Sequence, residues 1–148
     1  MVFIVNTKPL AEQQKKELKK FIPGAQVGCS MGDGGPSISD LLPHNNIIVC
    51  TAGKLLDAIK DRKVTFEMIS LIVIDECHHT KKSSSQANVM LRYLQCKKKD
   101  PSKVPQVMGL TASPGAGDNP HLDRKIIIDH LVNLCALMDA TSGIKMVE

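Results

Sequence analysis

Residues 71–79 read Leu-Ile-Val-Ile-Asp-Glu-Cys-His-His, so four apolar residues are followed at once by two acids, a cysteine and two histidines. An unbroken apolar run of this length predicts a β-strand that is buried on both faces. Further strand-like stretches lie at 2–5, 26–29, 47–50 and 106–110, and apolar residues recur at helical spacing between them. This alternation predicts an α/β fold, with a parallel sheet that is covered by helices on both faces.

In a parallel sheet of this kind, ligands bind beyond the carboxyl ends of the strands. The segments that follow the predicted strands include 6–10, 51–54, 75–79 and 111–115. They are also the most polar parts of the chain, or those most marked by glycine and proline. The fold and the residue chemistry therefore indicate the same edge of the sheet as the site of function.

The pair Asp75-Glu76 suits the hydrolysis of a nucleotide. Mg²⁺ takes hard oxygen ligands from one or two carboxylates plus phosphates, and an aspartate at a strand tip supplies such a ligand. A neighbouring glutamate can orient or deprotonate the attacking water. The simpler alternative is a solvated acidic turn.

The residues Cys77, His78 and His79 raise the question of a zinc site. Adjacent side chains point to different sides of the chain, and no second ligand pair has zinc-type spacing. Packing and hydrogen bonding by the histidine is therefore the favoured interpretation.

The composition is that of a globular domain, with 148 residues, 43% hydrophobic, 23% charged and a net charge of +4. It excludes disorder and collagen-like repeats. The apolar runs are far shorter than the roughly 18 residues that span a bilayer, so no membrane partner is expected. Five scattered cysteines without a C-x-x-C pair predict reduced, mostly buried thiols in a cytosolic or nuclear protein, and we expect a cytoplasmic location.

Two motifs give the sequence a specific resemblance. Residues 75–78, Asp-Glu-Cys-His, resemble motif II of a superfamily 2 RNA helicase, and residues 111–113, Thr-Ala-Ser, resemble its motif III. The longer strings around both motifs resemble the RIG-I-like receptors, which are cytosolic sensors of double-stranded RNA in innate immunity. His79 and residues 113–115 look more like the melanoma-differentiation-associated type or its short relative than like RIG-I itself. The helicase of Dicer is a more distant alternative.

The resemblance implies a RecA-like fold of the P-loop NTPase type and an RNA-dependent ATPase, with ATP as substrate. It implies catalytic roles for Asp75, Glu76 and His78, and a Mg²⁺ site at the two carboxylates. It also implies a motif that couples the nucleotide site to the RNA site, formed by Thr111, Ala112 and Ser113.

The resemblance further implies double-stranded RNA as a partner, and other receptor or signalling proteins beside it. Polar side chains and backbone N–H groups at helix starts suit contacts to phosphate and ribose, which fix register without reading sequence. The residues implied in RNA binding are Asn6, Lys8, Pro9, Gln13, Ser30, Thr51 and Lys54.

The residues themselves leave simpler alternatives open. Asn6 and Thr51 also suit the capping of the helices that follow them, and Thr111 and Ser113 also suit local backbone groups. Two lysine clusters favour a solvated surface over an RNA site. They are Lys15, Lys16, Lys19 and Lys20, and Lys97, Lys98, Lys99 and Lys103.

The phosphate-binding pattern G-x-x-x-x-G-K-[S/T] does not occur in the 148 residues. In the family, this loop follows the strand that precedes motif Ia. We therefore expect residues 1–148 to form a partial first RecA-like domain, from motif Ia to beyond motif III, whose sheet lacks the P-loop strand and exposes an edge. Alone, the chain is expected to hydrolyse ATP no faster than background. The alternative is a truncated, non-catalytic isoform that binds RNA or receptors and regulates them.

Overall fold

The computed structural model describes residues 1–32, 34–80, 83–112 and 124–140. Within these ranges the chain forms one parallel sheet of five strands. The strands are β1 (Val2–Val5), β2 (Val27–Ser30), β3 (Ile47–Thr51), β4 (Leu71–Ile74) and β5 (Gln106–Gly109). Their order across the sheet is β2-β3-β1-β4-β5. Each strand lies within one residue of its predicted bounds, and the predicted parallel α/β sheet is confirmed.

Helices follow the strands and return the chain to the start of the next one. They are α1 (Lys8–Phe21), α2 (Ile38–Leu41), α3 (Ala52–Lys60), α4 (Ser85–Lys99) and α5 (Arg124–Leu137). Short 3₁₀ turns occupy Leu42–His44, Phe66–Met68, Cys77–His79 and Pro101–Lys103. Pro9 stands in the first turn of α1, where its missing N–H costs nothing.

The sheet is buried on both faces, because successive residues of a strand point to opposite sides. On one face, Ile4 belongs to an apolar cluster with Leu55 of α3, Met90 of α4 and residues of α5. On the other face, Val5 belongs to a cluster that includes Ala11 of α1. The central strand β1 is buried along its whole length, as its unbroken apolar sequence predicts.

The strand β5 lies at one edge of the sheet and is largely exposed. It pairs with β4 on one side, and on the other side the described residues place no strand. Met108 is 50% exposed and Leu110 is 40% exposed. The predicted exposure of a strand edge with apolar residues is therefore found at β5.

All five cysteines are free, and three of them are buried: Cys29, Cys50 and Cys77. The prediction that most of the cysteines are buried is confirmed. Among the helices that the structure describes, none combines the length and the apolar character that crossing a bilayer requires.

Candidate functional site

The chain turns sharply where β4 ends, and this turn presents two carboxylates. The N–H of Asp75 donates to the carbonyl of Ile4 at 2.9 Å, so the pairing of β4 with β1 continues up to the turn. Glu76 then adopts a left-handed conformation with φ 49° and ψ 48°, which costs a non-glycine residue about 1–2 kcal/mol. Its N–H donates to Asp75 Oδ1 at 3.1 Å. The predicted pair Asp75-Glu76 therefore lies at the carboxyl end of a central strand, in a conformation that the surrounding structure must hold.

The two carboxyl groups have little hydrogen bonding of their own. Burial raises the pKa of Asp75 above its ordinary value, the N–H of Glu76 partly lowers it, and the nearby Glu76 charge raises it. Glu76 Oε2 is buried and accepts no hydrogen bond within the described ranges. His78 Nδ1 lies 3.3 Å from this oxygen, and the two groups form an ion pair only when the imidazole ring is protonated. This orphaned oxygen has lone pairs to offer to a ligand.

His78 joins the turn to the end of the next strand. Its Nδ1 lies 2.6 Å from Oγ1 of Thr111, although the two residues are 33 positions apart in the sequence. His78 therefore lies beside Thr111, and the interpretation of this histidine as a hydrogen-bonding residue is confirmed. Ala112 follows Thr111 and is exposed, whereas Ser113 lies outside the described residues.

The backbone fixes the same junction. Leu110 donates its N–H to the carbonyl of Ile74 at 2.8 Å and accepts the N–H of Cys77 at 2.9 Å. Gly109 allows this close approach, because a Cβ placed there would lie 2.9 Å from Cys77 Sγ. Burial raises the pKa of the Cys77 thiol, so this cysteine behaves as a small apolar residue. The end of β5 and the Asp75–His79 turn therefore form one packed unit.

Beside this unit lies a cleft of about 500 Å³. It opens where β1 and β3 end and where α1, α3 and α4 begin. The residues that line it are Val5, Asn6, Thr7, Lys8, Thr51, Ala52, Gly53, His79, Ser84, Ser85 and Gln86.

Three helix N-termini face this cleft, since their N-cap residues Thr7, Thr51 and Ser84 all line it. None of the three helices carries an acidic residue in its first turn. Helix N-termini bear partial positive charge and unpaired N–H groups, which favours anions. The cleft therefore suits a phosphate-bearing ligand.

Two of these N-cap residues do not use their hydroxyl groups to cap the helix. Ser84 accepts the N–H of Ala87 at 3.1 Å, but Thr7 and Thr51 make no side-chain capping bond. The alternative interpretation of Thr51 as a side-chain cap is therefore wrong for this structure. Asn6 lies one residue before the N-cap of α1, so it does not cap that helix either.

The structure brings together only some of the residues predicted to bind RNA. Asn6, Lys8 and Thr51 line the cleft, and Lys8 Nζ would lie 3.1 Å from a Cβ at Gly32. Ser30 is buried, and its hydroxyl donates to the carbonyl of Pro36 at 2.8 Å. The remaining three predicted residues, Pro9, Gln13 and Lys54, stand on α1 or α3 and do not line the cleft. The RNA-binding roles of all seven stay predictions.

Two residues of the cleft were missed by sequence reasoning. Gln86 is buried and bonds to both Asn6 and Thr80. The His79 ring lies against the His78 ring at a centroid distance of 4.0 Å, tilted by 45°. The sequence carries no signal for Gln86, because a glutamine in the first turn of a helix is ordinarily solvated.

Comparison with known proteins agrees with this geometry. The DEAD/DEAH box helicase family matches residues 1–119. The chain is 35% identical over 146 residues to "ATP-dependent RNA helicase DHX58" of Mus musculus, covering 94% of this chain and 21% of that protein. It is 33% identical over 147 residues to "Antiviral innate immune response receptor RIG-I" of Homo sapiens, covering 95% of this chain and 16% of that protein. The chain therefore spans about a fifth or less of the length of these relatives.

A solved structure supports the fold. The helicase domain of Pyrococcus furiosus Hef superimposes with a TM-score of 0.72 at 23% identity, covering 96% of this chain and 28% of that one. The RecA-like fold and the resemblance to RIG-I-like receptors, both predicted from the motifs, are confirmed by these matches.

Proposed function

Because this chain belongs to the DEAD/DEAH box helicase family, we propose that it forms part of an RNA-dependent ATPase. The turn at 75–79 would take part in ATP hydrolysis, and the cleft would form part of the RNA-binding surface. One observation carries the proposal: the turn at 75–79 borders both the proposed site of ATP hydrolysis and the proposed RNA-binding cleft. His78 bonds to Thr111 beside the carboxylates, and the next residue, His79, lines the cleft at the helix N-termini.

The reaction would be the hydrolysis of ATP to ADP and phosphate. Glu76 would accept a proton from the attacking water, and its buried, unpaired Oε2 is suited to that role. The carboxylates of Asp75 and Glu76 offer hard oxygen atoms, which fit Mg²⁺. Asp75 would hold this ion, which supplies neutralisation of phosphate charge when bound. The chain carries no G-x-x-x-x-G-K-[S/T] sequence, so we propose that it does not turn over ATP by itself.

The cleft would hold phosphates of a double-stranded RNA. Three helix N-termini and the Lys8 ammonium provide positive charge, and the Thr51 and Thr7 hydroxyls provide donors that reach ribose or phosphate. Such contacts read the shape of a backbone rather than its sequence. We further propose that the RNA is viral, that the setting is cytoplasmic, and that other receptor or signalling proteins are partners.

A binding measurement tests the RNA part of this proposal directly. Fluorescence anisotropy of a labelled, blunt RNA duplex, titrated with the full 148-residue chain at several salt concentrations, gives both the affinity and its salt dependence. Lys8→Ala is expected to weaken binding several-fold and to reduce the slope of log K against log salt by about 1.

Lys19→Ala is the matched control, because Lys19 lies in the last turn of the same helix and outside the cleft. It is expected to leave both quantities near their original values. Absence of binding by the unmodified chain at low salt, or an equal loss in the two variants, contradicts the proposal.

A further inference from the structure

Gln86 is a buried amide that connects two separate parts of the fold. Its residue is 5% exposed. Its Nε2 donates to Asn6 Oδ1 at 2.8 Å, and its Oε1 accepts from Thr80 Oγ1 at 2.9 Å. A buried amide is tolerated where both of its ends are hydrogen-bonded, so the two bonds hold Gln86 in one orientation.

The two ends of this connection lead to the two sites. Asn6 lines the cleft directly after β1. Thr80 donates its N–H to the carbonyl of Cys77 at 3.0 Å and so closes the Cys77–His79 turn. That turn presents His78, whose ring bonds to Thr111. Hydrogen bonds therefore link Asn6 in the cleft wall to the Thr80 side chain through Gln86, and the Thr80 backbone in turn closes the turn that presents His78.

The direction of the hydrogen bonds suits an anion in the cleft. Asn6 turns its carbonyl oxygen to Gln86, which leaves its Nδ2 group to donate to a ligand. With the opposite hydrogen-bond directions, Gln86 would donate to the Thr80 hydroxyl and accept from the Asn6 amide. The Asn6 oxygen would then face the anion. A bound phosphate opposes that reversal, and it therefore stabilises the orientation of Gln86 and Thr80 that the structure shows.

We propose that Gln86 is a positioning residue, which transmits the occupancy of the cleft by an RNA phosphate to the Cys77–His79 turn through Asn6 and Thr80. The inference rests on the proposed function, because it takes RNA as the ligand of the cleft. It adds a route and a residue that do not belong to motif II or to motif III.

The test uses the full chain with ¹⁵N-labelled histidine and the same blunt RNA duplex. The NMR signal of His78 Nδ1 reports the state of the turn, and anisotropy reports RNA affinity on the same samples. Gln86→Met keeps a similar volume and removes both bonds, whereas Thr80→Val removes only the hydroxyl. Thr80→Ser restores that hydroxyl. The control is Asn88→Ala, at an exposed residue of the same helix whose side chain bonds only to the carbonyl of Ser84.

Saturating RNA is expected to shift the His78 Nδ1 signal to the same full extent in the unmodified chain and in the variants Thr80→Ser and Asn88→Ala. In Gln86→Met and Thr80→Val the displacement is expected to fall by about half or more, while RNA affinity changes by less than about threefold because Lys8 and the helix N-termini remain. A full displacement in both variants overturns the role of Gln86 and leaves the proposed function intact. No RNA binding by the unmodified chain overturns both. If Gln86→Met does not fold, Thr80→Val decides the question.

Discussion

His78 Nδ1 lies 2.6 Å from Thr111 Oγ1, and this hydrogen bond joins the end of β4 to the end of β5 beside the Asp75-Glu76 pair. Its ring is also 3.3 Å from the buried Glu76 Oε2. The imidazole therefore contacts both the candidate base and the start of the motif that resembles motif III. A change in the orientation of Thr111 would move the ring, and with it the surroundings of Glu76.

The first prediction concerns Thr111→Val, which keeps the shape of the side chain and removes its hydroxyl. In a protein that joins this chain to the phosphate-binding loop of the family, we expect RNA-stimulated ATP turnover to fall about tenfold or more, because His78 loses its partner. RNA affinity is expected to stay within about twofold. Steady-state ATPase assays with and without RNA measure the first quantity, and anisotropy measures the second.

Thr111→Ser is the control for this prediction, since it retains the hydroxyl and is expected to keep most of the RNA stimulation. Undiminished stimulation in Thr111→Val would show that the bond serves only the local backbone and side-chain structure.

The second prediction concerns Gly109, where backbone and thiol pack too closely for a side chain. A Cβ there would lie 2.9 Å from Cys77 Sγ and 3.2 Å from Cys77 Cβ. Gly109→Ala is expected to lower the free energy of unfolding by about 1–3 kcal/mol, because the buried Cys77 has to shift. Urea denaturation followed by circular dichroism measures this change.

Gly53→Ala serves as its matched control. Gly53 stands in the first turn of α3, and a methyl carbon added there would have Ser85 Oγ as its nearest neighbour, at 4.0 Å. We expect no loss of stability, and a gain of up to about 1 kcal/mol from helix propensity. Equal destabilisation of the two variants would contradict the packing argument.

The third prediction follows from the raised pKa of Asp75. A carboxyl whose pKa is higher in the folded than in the unfolded chain binds more protons when folded, so ionisation of Asp75 lowers stability as the pH rises from its unfolded value through its folded value. Asp75→Asn removes this cost. At neutral pH we expect the variant to melt about 1–3 °C higher, and the difference is expected to shrink at a pH below the ordinary carboxyl pKa.

Differential scanning fluorimetry across a pH series measures this difference, and titration with Mg²⁺ adds a second readout. The unmodified chain is expected to gain stability from Mg²⁺, whereas Asp75→Asn is expected to gain little. A variant that melts lower at neutral pH would contradict the assignment of burial as the dominant effect on Asp75.

Much of the fold follows from local sequence, and the candidate site follows from it only in part. Unbroken apolar runs predict β1, β3 and β4 to within one residue, because strands buried on both faces leave a continuous signal. The stretches that predict β2 and β5 also contain glutamine and glycine, and their bounds likewise agree to within one residue. The position of the Asp75-Glu76 pair was also predictable, since it follows a strand end at the edge of the sheet where ligands bind. The link through Gln86 was not, because it joins residues 80 positions apart and depends on how α4 is packed.

The fourth prediction concerns Tyr93, whose hydrogen bond connects α4 to Asp139, just after the end of α5. Its hydroxyl donates to Asp139 Oδ2 at 2.9 Å, and Lys97 contacts the same oxygen. Its ring packs edge-on against Phe66 at a centroid distance of 6.0 Å. Tyr93→Phe keeps the ring and removes the donor, so we expect a loss of about 1–2 kcal/mol in the free energy of unfolding, as for a bond to a charged acceptor.

Lys97→Met is expected to cost less, because its ammonium is the more exposed partner. Urea denaturation of both variants decides between them: a larger loss in Lys97→Met would show that the ion pair, and not the tyrosine, holds α5 in place.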